Sequence, residues 1–256
     1  MIPLMQSPTD HLLTRLLAKA FGLNAGSRLL DIGCGSGYSG IALSEYFGCT
    51  VDFVDVSQSR VNEVSVAAAA KNISNQCKTF HSTAEEYVET CNETYDFVIA
   101  HGGLLSLTGP SLIETISKKC LTANGIVHAS MLTLRRVPYK QLGGCDVPQH
   151  VPEEVTEQYR NTVLSSTTRW LPFEDEAVTA IEHAIGSCWA SRSSGLVWSE
   201  YYANMYSAAP SSTGLAEDDT FCRSTAIDEA YYKLIGQKYI DYTSLVASRS
   251  PLSGLL

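Results

Sequence analysis

Apolar residues along the chain follow two periods in turn, and their alternation predicts an α/β fold. Compact apolar runs fall at Arg28–Ile32, 49–54, Cys77–His81, Tyr95–Ala100 and 126–131. Their length and density suit strands buried in a sheet. Between them lie stretches of helical period. Leu12, Leu13, Leu16, Leu17 and Phe21 share one side of a helix that Thr9 or Asp10 caps and Gly22 ends. Further helices are predicted at 39–47, from a cap at Ser57 through Lys71, and at Ser111–Lys119, with a turn over 121–125. Strands that alternate with helices imply a parallel, doubly wound sheet. A helix over 224–235 and a last strand over 239–249 close the pattern.

From Leu132 the βα rhythm stops. Residues 132–220 are rich in turn and aromatic residues and hold all three tryptophans, Trp170, Trp189 and Trp198. Helices are predicted there at 153–164, Glu174–Ile185 and 199–205, with a loop over 207–219. The expectation is a main domain of residues 1–131 and 221–256, with a mostly helical, aromatic-rich cap of residues 132–220 inserted after strand five. A chain of 256 residues accommodates one such domain and its insertion. The aromatic residues suit either the core of a helical layer or a pocket for a cationic group.

The densest chemistry sits between the first two strands. Asp31-Ile32-Gly33-Cys34-Gly35-Ser36-Gly37 follows directly on the first apolar run, and Asp55 ends the second. The glycines remove Cβ atoms, so the turn is tight and a ligand can lie against bare backbone. An acid at the end of the second strand is placed to accept hydrogen bonds from ribose hydroxyls. A dinucleotide fingerprint requires glycine where Tyr38 stands, and no Gly-Lys-Ser/Thr ending marks a phosphate loop. The stretch resembles the first motif of the class I methyltransferases that use S-adenosylmethionine, a hydrophobic strand followed by Asp-x-Gly-x-Gly-x-Gly.

That resemblance covers about residues 10–131 and 224–249, and it implies the remaining assignments. Gly33, Cys34, Gly35 and Gly37 would hold the amino-acid end of S-adenosylmethionine, with Asp31 orienting its ammonium and Asp55 its ribose. Thr83 and Ala84, with Glu85, would meet the adenine; Thr83 stands where many relatives have Asp. Val56, Ala100 and His101 complete the implied set of cofactor positions. After strand four the chain reads His101-Gly102-Gly103-Leu104-Leu105. The Asn/Asp-Pro-Pro-Tyr of relatives that methylate amide or exocyclic nitrogens is missing from this place.

Composition narrows the partners. Twenty-seven acids against 18 Lys and Arg give a formal charge of −9. No basic stripe is present to neutralise phosphates, so nucleic acid and anionic membrane are not expected as partners. A small-molecule acceptor is expected instead, and the protein is expected to be a monomer or homodimer. The eight cysteines form no CxxC pair, and no cationic apolar leader or spanning run is read at the sequence level. The expectation is a cytoplasmic protein with free thiols and without a metal site.

Methyl transfer from a sulfonium is an SN2 displacement, so the enzyme has to align nucleophile, methyl and sulfur, exclude water, and remove a proton where the nucleophile carries one. His101, directly after strand four, is the leading candidate base. Tyr139 and His150 in the insertion are further candidates, and His11 reaches the pocket if the first helix closes it. His81, His128 and His183 read as structural. Two other functions fit the same motif: cyclisation of S-adenosylmethionine itself with release of methylthioadenosine, and non-catalytic binding of the compound.

Overall fold

The computed structural model describes residues 11–134, 170–192, 201, 203 and 240–252. These form a seven-stranded sheet of order β3-β2-β1-β4-β5-β7-β6. The strands are β1 (Arg28–Ile32), β2 (Thr50–Asp55), β3 (Cys77–His81), β4 (Tyr95–Ala100), β5 (Leu121–Leu134), β6 (Ser187–Arg192) and β7 (Ile240–Ser248). The first five are parallel, and β7 runs antiparallel between β5 and β6. The helices are α1 (His11–Ala20), α2 (Tyr38–Phe47), α3 (Gln58–Ala70), α4 (Ala84–Thr90), α5 (Leu104–Thr108), α6 (Ser111–Lys119) and α7 (Glu174–Ile185).

Alternation along each strand builds a core on each face. On one side Leu29, Phe53, Phe97 and Ile99 pack with Leu17 of α1, Ile41 of α2 and Val64 of α3. On the other, Leu30, Val54 and Val98 pack with Val88 of α4, Ile113 of α6 and Ile181 of α7. Because both faces are covered, the central strands are apolar almost throughout, which is why they were legible as short dense runs. Two of the polar exceptions are buried carboxylates. Asp52 on β2 is buried, yet it accepts hydrogen bonds from Tyr95 Oη at 2.7 Å and Arg28 Nη2 at 3.1 Å. Asp31 lies on the face toward α2. β1 leads through α2 to β2 on one side, while β4 flanks it on the other. The crevice at this switch point opens at the carboxyl ends of the strands, where such sheets bind ligands.

Several boundaries differ from expectation. Residues 121–125 are strand, not turn: Tyr95 pairs with Leu121, and the register then shifts so that Phe97 pairs with Ile126. A Cβ on Gly125 would lie 2.7 Å from Leu121 and 2.9 Å from the Tyr95 carbonyl oxygen, so this irregular pairing needs glycine. β5 runs three residues beyond Met131 because β7 pairs with it as far as Leu134. Helix α5 was given no element from the sequence; its run Leu-Leu-Ser-Leu-Thr is too short for a period to show.

The boundary of the insertion also moves. Residues 170–192, assigned to the cap from their composition, belong to the sheet and its helical layer. Ala177, Ile181 and Ile185 of α7 enter the core beside α6 and against β5, β6 and β7, and β6 forms the sheet edge. Trp170 packs against one core and Trp189 against the other, so both serve as structure. β7 therefore does not close the sheet; it is an interior strand. The predicted helices at 153–164 and 224–235, the loop over 207–219 and Trp198 lie outside the described residues, as do the proposed caps Thr9 and Asp10. No helix among the described residues is long and apolar enough to cross a membrane.

Candidate active site

The turn after β1 is built by positive-φ glycines: Gly33 at 67°, Gly35 at 53° and Gly37 at 76°. A residue with a Cβ is strained at such angles. The amides of Gly33 and Cys34 both donate to the Val54 carbonyl, at 2.8 and 3.0 Å, which ties the turn to the end of β2. Asp55 is held from two sides: Gly35 N–H donates to Oδ2 at 2.8 Å and Ser57 N–H to Oδ1 at 2.8 Å. Its carboxylate is thereby fixed while the remaining lone pairs face the cavity. Asp31, 3% exposed, accepts the Gly40 N–H at 3.0 Å. Burial pushes its carboxyl up to about 7, the Gly40 bond opposes this, and the charge of Asp55 adds to it.

A cavity of about 440 Å³ opens over this turn, within the range of small-molecule sites. Of the sequence-predicted residues, Asp31, Gly33, Cys34, Gly35, Asp55, Val56, Thr83, Ala84, Glu85 and His101 line it. Gly37 and Ala100 do not. A Cβ on Gly37 would lie 2.9 Å from Val64 Cγ2, so this glycine serves the packing of α2 against α3. Ala100 is fully buried in the core. Thr83 lines the cavity and also caps α4: its side chain accepts the Glu86 N–H, and Glu86 reaches back to the Thr83 amide. Tyr139 and His150 lie outside the described residues. Burial pushes the Cys34 thiol far up, with Asp31 and Asp55 adding to the effect, so it stays protonated.

His101 does not stand alone. Ser39 Oγ lies 3.2 Å from its Nδ1 and 3.0 Å from Nδ1 of His11. His128 Nδ1 lies 3.2 Å from His101 Nε2. Burial drives His101 well below the usual imidazole range and His128 down to about 3, with neighbouring histidines adding to both. Both rings are neutral at physiological pH. Ser39 and Tyr38 were missed as cavity residues, although they open the helix that follows the glycine turn. His128 was read as structural because only the β4–β5 register, which pairs Ile99 with His128, brings it beneath His101. No group of three or more His, Cys, Asp or Glu side chains among the described residues is arranged to hold a metal.

Comparison with known proteins bears on the fold. A family model described as a methyltransferase domain matches residues 29–125. The ribosomal RNA small subunit methyltransferase G of Cytophaga hutchinsonii is 35% identical over 95 residues, which are 35% of this chain and 42% of that protein. The match thus spans less than half the length of that relative. Among solved structures, an S-adenosylmethionine-dependent methyltransferase from Thiobacillus denitrificans, in complex with S-adenosyl-L-homocysteine, superposes with a TM-score of 0.68 at 18% identity, covering 96% of this chain and 94% of the other. One from Geobacter sulfurreducens, in complex with the same compound, gives 0.67 at 16% identity, covering 94% and 92%. The strand order and these superpositions give the chain the class I, Rossmann-like S-adenosylmethionine-dependent methyltransferase fold, and residues 29–125 match the family model of a methyltransferase domain.

Proposed function

We propose that this protein binds S-adenosylmethionine in the cavity over the glycine turn and transfers its methyl group to a small-molecule acceptor. The observation that carries the reading is the joint placement of Asp31, Asp55 and Thr83–Glu85 along one cavity, with His101 beside them. The donor set fits the compound: a carboxylate pinned by two amides for a ribose diol, a second buried carboxylate for an ammonium, and apolar Val56 and Ala84 for a purine. When bound, S-adenosylmethionine supplies an electrophilic methyl carbon on sulfonium sulfur.

The chain's own part is binding and proton handling. Asp55, already orientated by the Gly35 and Ser57 amides, accepts ribose hydroxyls without reorganising. Asp31 ionises as an ammonium approaches, because an adjacent cation offsets the burial that raises its pKa. Leu104, Leu107 and Val56 line the cavity as apolar side chains, Val56 and Leu107 exposed, and a ligand that covers them displaces water from the reacting atoms. The formal charge of −9 favours a small acceptor over RNA. The likeness to the ribosomal RNA enzyme does not weigh against this, since it covers 42% of that protein.

The test is product analysis after incubation with S-adenosylmethionine, alone and with a fractionated metabolite pool. S-adenosylhomocysteine formed only with the pool is the expected result. Methylthioadenosine formed without any acceptor would replace methyl transfer by cyclisation. Binding without either product would leave a non-catalytic S-adenosylmethionine-binding protein.

A further inference from the structure

We infer that His11, Ser39, His101 and His128 form a proton relay that carries the acceptor's proton away from the methyl-transfer site, with His128 as the positioning residue at its buried end. This rests on the methyl-transfer reading above and adds an acceptor class, an alcohol or phenol attacking through its hydroxyl oxygen. An amine attacks as the free base and needs no such path; a hydroxyl does.

Four separate elements bring the chain of contacts together: His11 from α1, Ser39 from α2, His101 from the turn after β4 and His128 from β5. Successive N···O and N···N distances are 3.0, 3.2 and 3.2 Å. Both ring nitrogens of His101 are therefore engaged, Nδ1 with Ser39 and Nε2 with His128. In this arrangement His101 has no nitrogen left for the acceptor, and the proton reaches it through Ser39, which lines the cavity. The hydrogens fit in two orders. In one, Ser39 donates to His101 Nδ1 and His101 Nε2–H donates to His128 Nδ1. In the other, His128 Nδ1–H donates to His101 Nε2, and His101 Nδ1–H donates to Ser39. A group that satisfies both orders is a path for a proton.

His128 is fully buried, and its Nε2 has no hydrogen-bond partner among the described residues. A leucine or phenylalanine would fill the position without leaving a buried nitrogen unpaired. The histidine is accounted for by its bond to His101. Charge supports the same role. As the acceptor oxygen's lone pair forms its bond to the methyl carbon, the electron pair of the carbon–sulfur bond passes to sulfur. The O–H electron pair stays on oxygen, its proton passes to Ser39 Oγ, and the Ser39 proton passes to His101 Nδ1. The cavity holds one positive charge before the step, on sulfur, and one after it, on the paired rings. Burial penalises a cation on the rings in both states, but the repulsion from the sulfonium charge adds to that penalty only before the step and is gone once sulfur is neutral.

Other groups face this relay. Asp31, Asp55, Glu85 and Cys34 line the cavity; the Tyr38 ring packs on His11 at 4.4 Å; and Tyr242 Oη accepts the Gly102 N–H at 2.8 Å. A residue-specific readout is therefore needed. Histidine-¹⁵N NMR titrations of the full chain, saturated with S-adenosylmethionine or with S-adenosylhomocysteine, supply it. The His101–His128 pair is expected to take up one proton jointly, at a midpoint about one pH unit higher with the thioether than with the sulfonium. His128→Asn keeps a side-chain hydrogen bond to His101 and cannot hold a proton. It is expected to lower the His101 midpoint about tenfold in proton affinity, whereas a purely structural histidine would be rescued by Asn. Ser39→Ala reads the relay from its other end and is expected to lower the same midpoint should His128→Asn fail to fold. An unchanged His101 midpoint in the folded variant, or equal midpoints with the two ligands, overturns the relay. Failure of both ligands to shift any cavity resonance is a separate result: it removes the methyl-transfer reading itself, and the relay with it.

Discussion

Asp31 and Asp55 are carboxylates at the ends of adjacent strands, and their surroundings give them different work. Asp55 is half-buried with both oxygens orientated by amides, the arrangement we propose accepts ribose hydroxyls. Asp55→Ala is expected to weaken S-adenosylmethionine binding about tenfold or more, since hydrogen bonds to a charged acceptor are lost. Calorimetry showing unchanged affinity would remove Asp55 from the site. Asp31 is buried on one backbone hydrogen bond, and burial pushes it up to about 7. Because the folded value lies above the ordinary carboxylate value, folding favours the protonated form. Its contribution to stability is present in full below about pH 4 and is lost as pH rises through about 7. Asp31→Asn, which keeps an acceptor for the Gly40 amide, is expected to raise the melting temperature of the ligand-free protein at pH 8 and hardly at pH 4. The gain at pH 8 is a few kcal/mol at most, on the order of the pKa shift converted. Calorimetric melts at the two pH values check it. Asp31 was legible from the glycines that follow it, and Asp55 from its place at the end of a dense apolar run. The difference between them was not, because burial and hydrogen-bond donors come from α2 and the turn.

At the scale of elements, the strand–turn–helix unit was read within one residue at most boundaries, because burial on both faces compresses β1, β2, β3 and β4 into unmistakable apolar runs. The close fit of α2 on the sheet was not visible. Gly40 sits inside α2, where sequence alone reads it as a weak helix former. Its missing Cβ would lie 2.5 Å from Phe53 Cε1 and 2.7 Å from Asp31 Oδ2. Gly40→Ala therefore gains helix propensity and loses more through overpacking. A net destabilisation of about 1–3 kcal/mol is expected, measured as a lowered urea midpoint with unchanged slope. A midpoint that rises would show that α2 moves freely off the sheet. Elements whose identity depends on a partner were the ones misread. β6 is strand because β7 pairs with it, residues 121–125 are strand because β4 and a register shift accommodate them, and α5 is too short to announce itself.

For the molecule as a whole, the antiparallel β7 connects distant parts of the chain to the site. Tyr242 Oη accepts the Gly102 N–H at 2.8 Å, across 140 residues, and lies 3.1 Å from Ser130 Oγ. Gly102 follows His101, so a residue near the chain's end fixes the backbone of the turn that carries the relay. Tyr242→Phe leaves a half-buried amide without this acceptor and is expected to cost about 1 kcal/mol. It should also raise the hydrogen-exchange rate of the Gly102 amide above that of its neighbours in β4. Equal protection in the variant would mean that the turn holds itself.

The sequence by itself determined the α/β class, the glycine turn and the acid of β2, because each is a local pattern: alternating dense runs, clustered glycines, a carboxylate at a strand's end. The positions after β3 came from the family resemblance. Only the tertiary structure decided which strands are neighbours. That adjacency moved residues 170–192 from cap to sheet and made β7 an interior strand. It also joined His11, Ser39, His101 and His128, four residues spread over 118 positions, into one hydrogen-bonded path. Side chains meet across a sheet according to register and crossover, and neither is written in the spacing of residues along the chain.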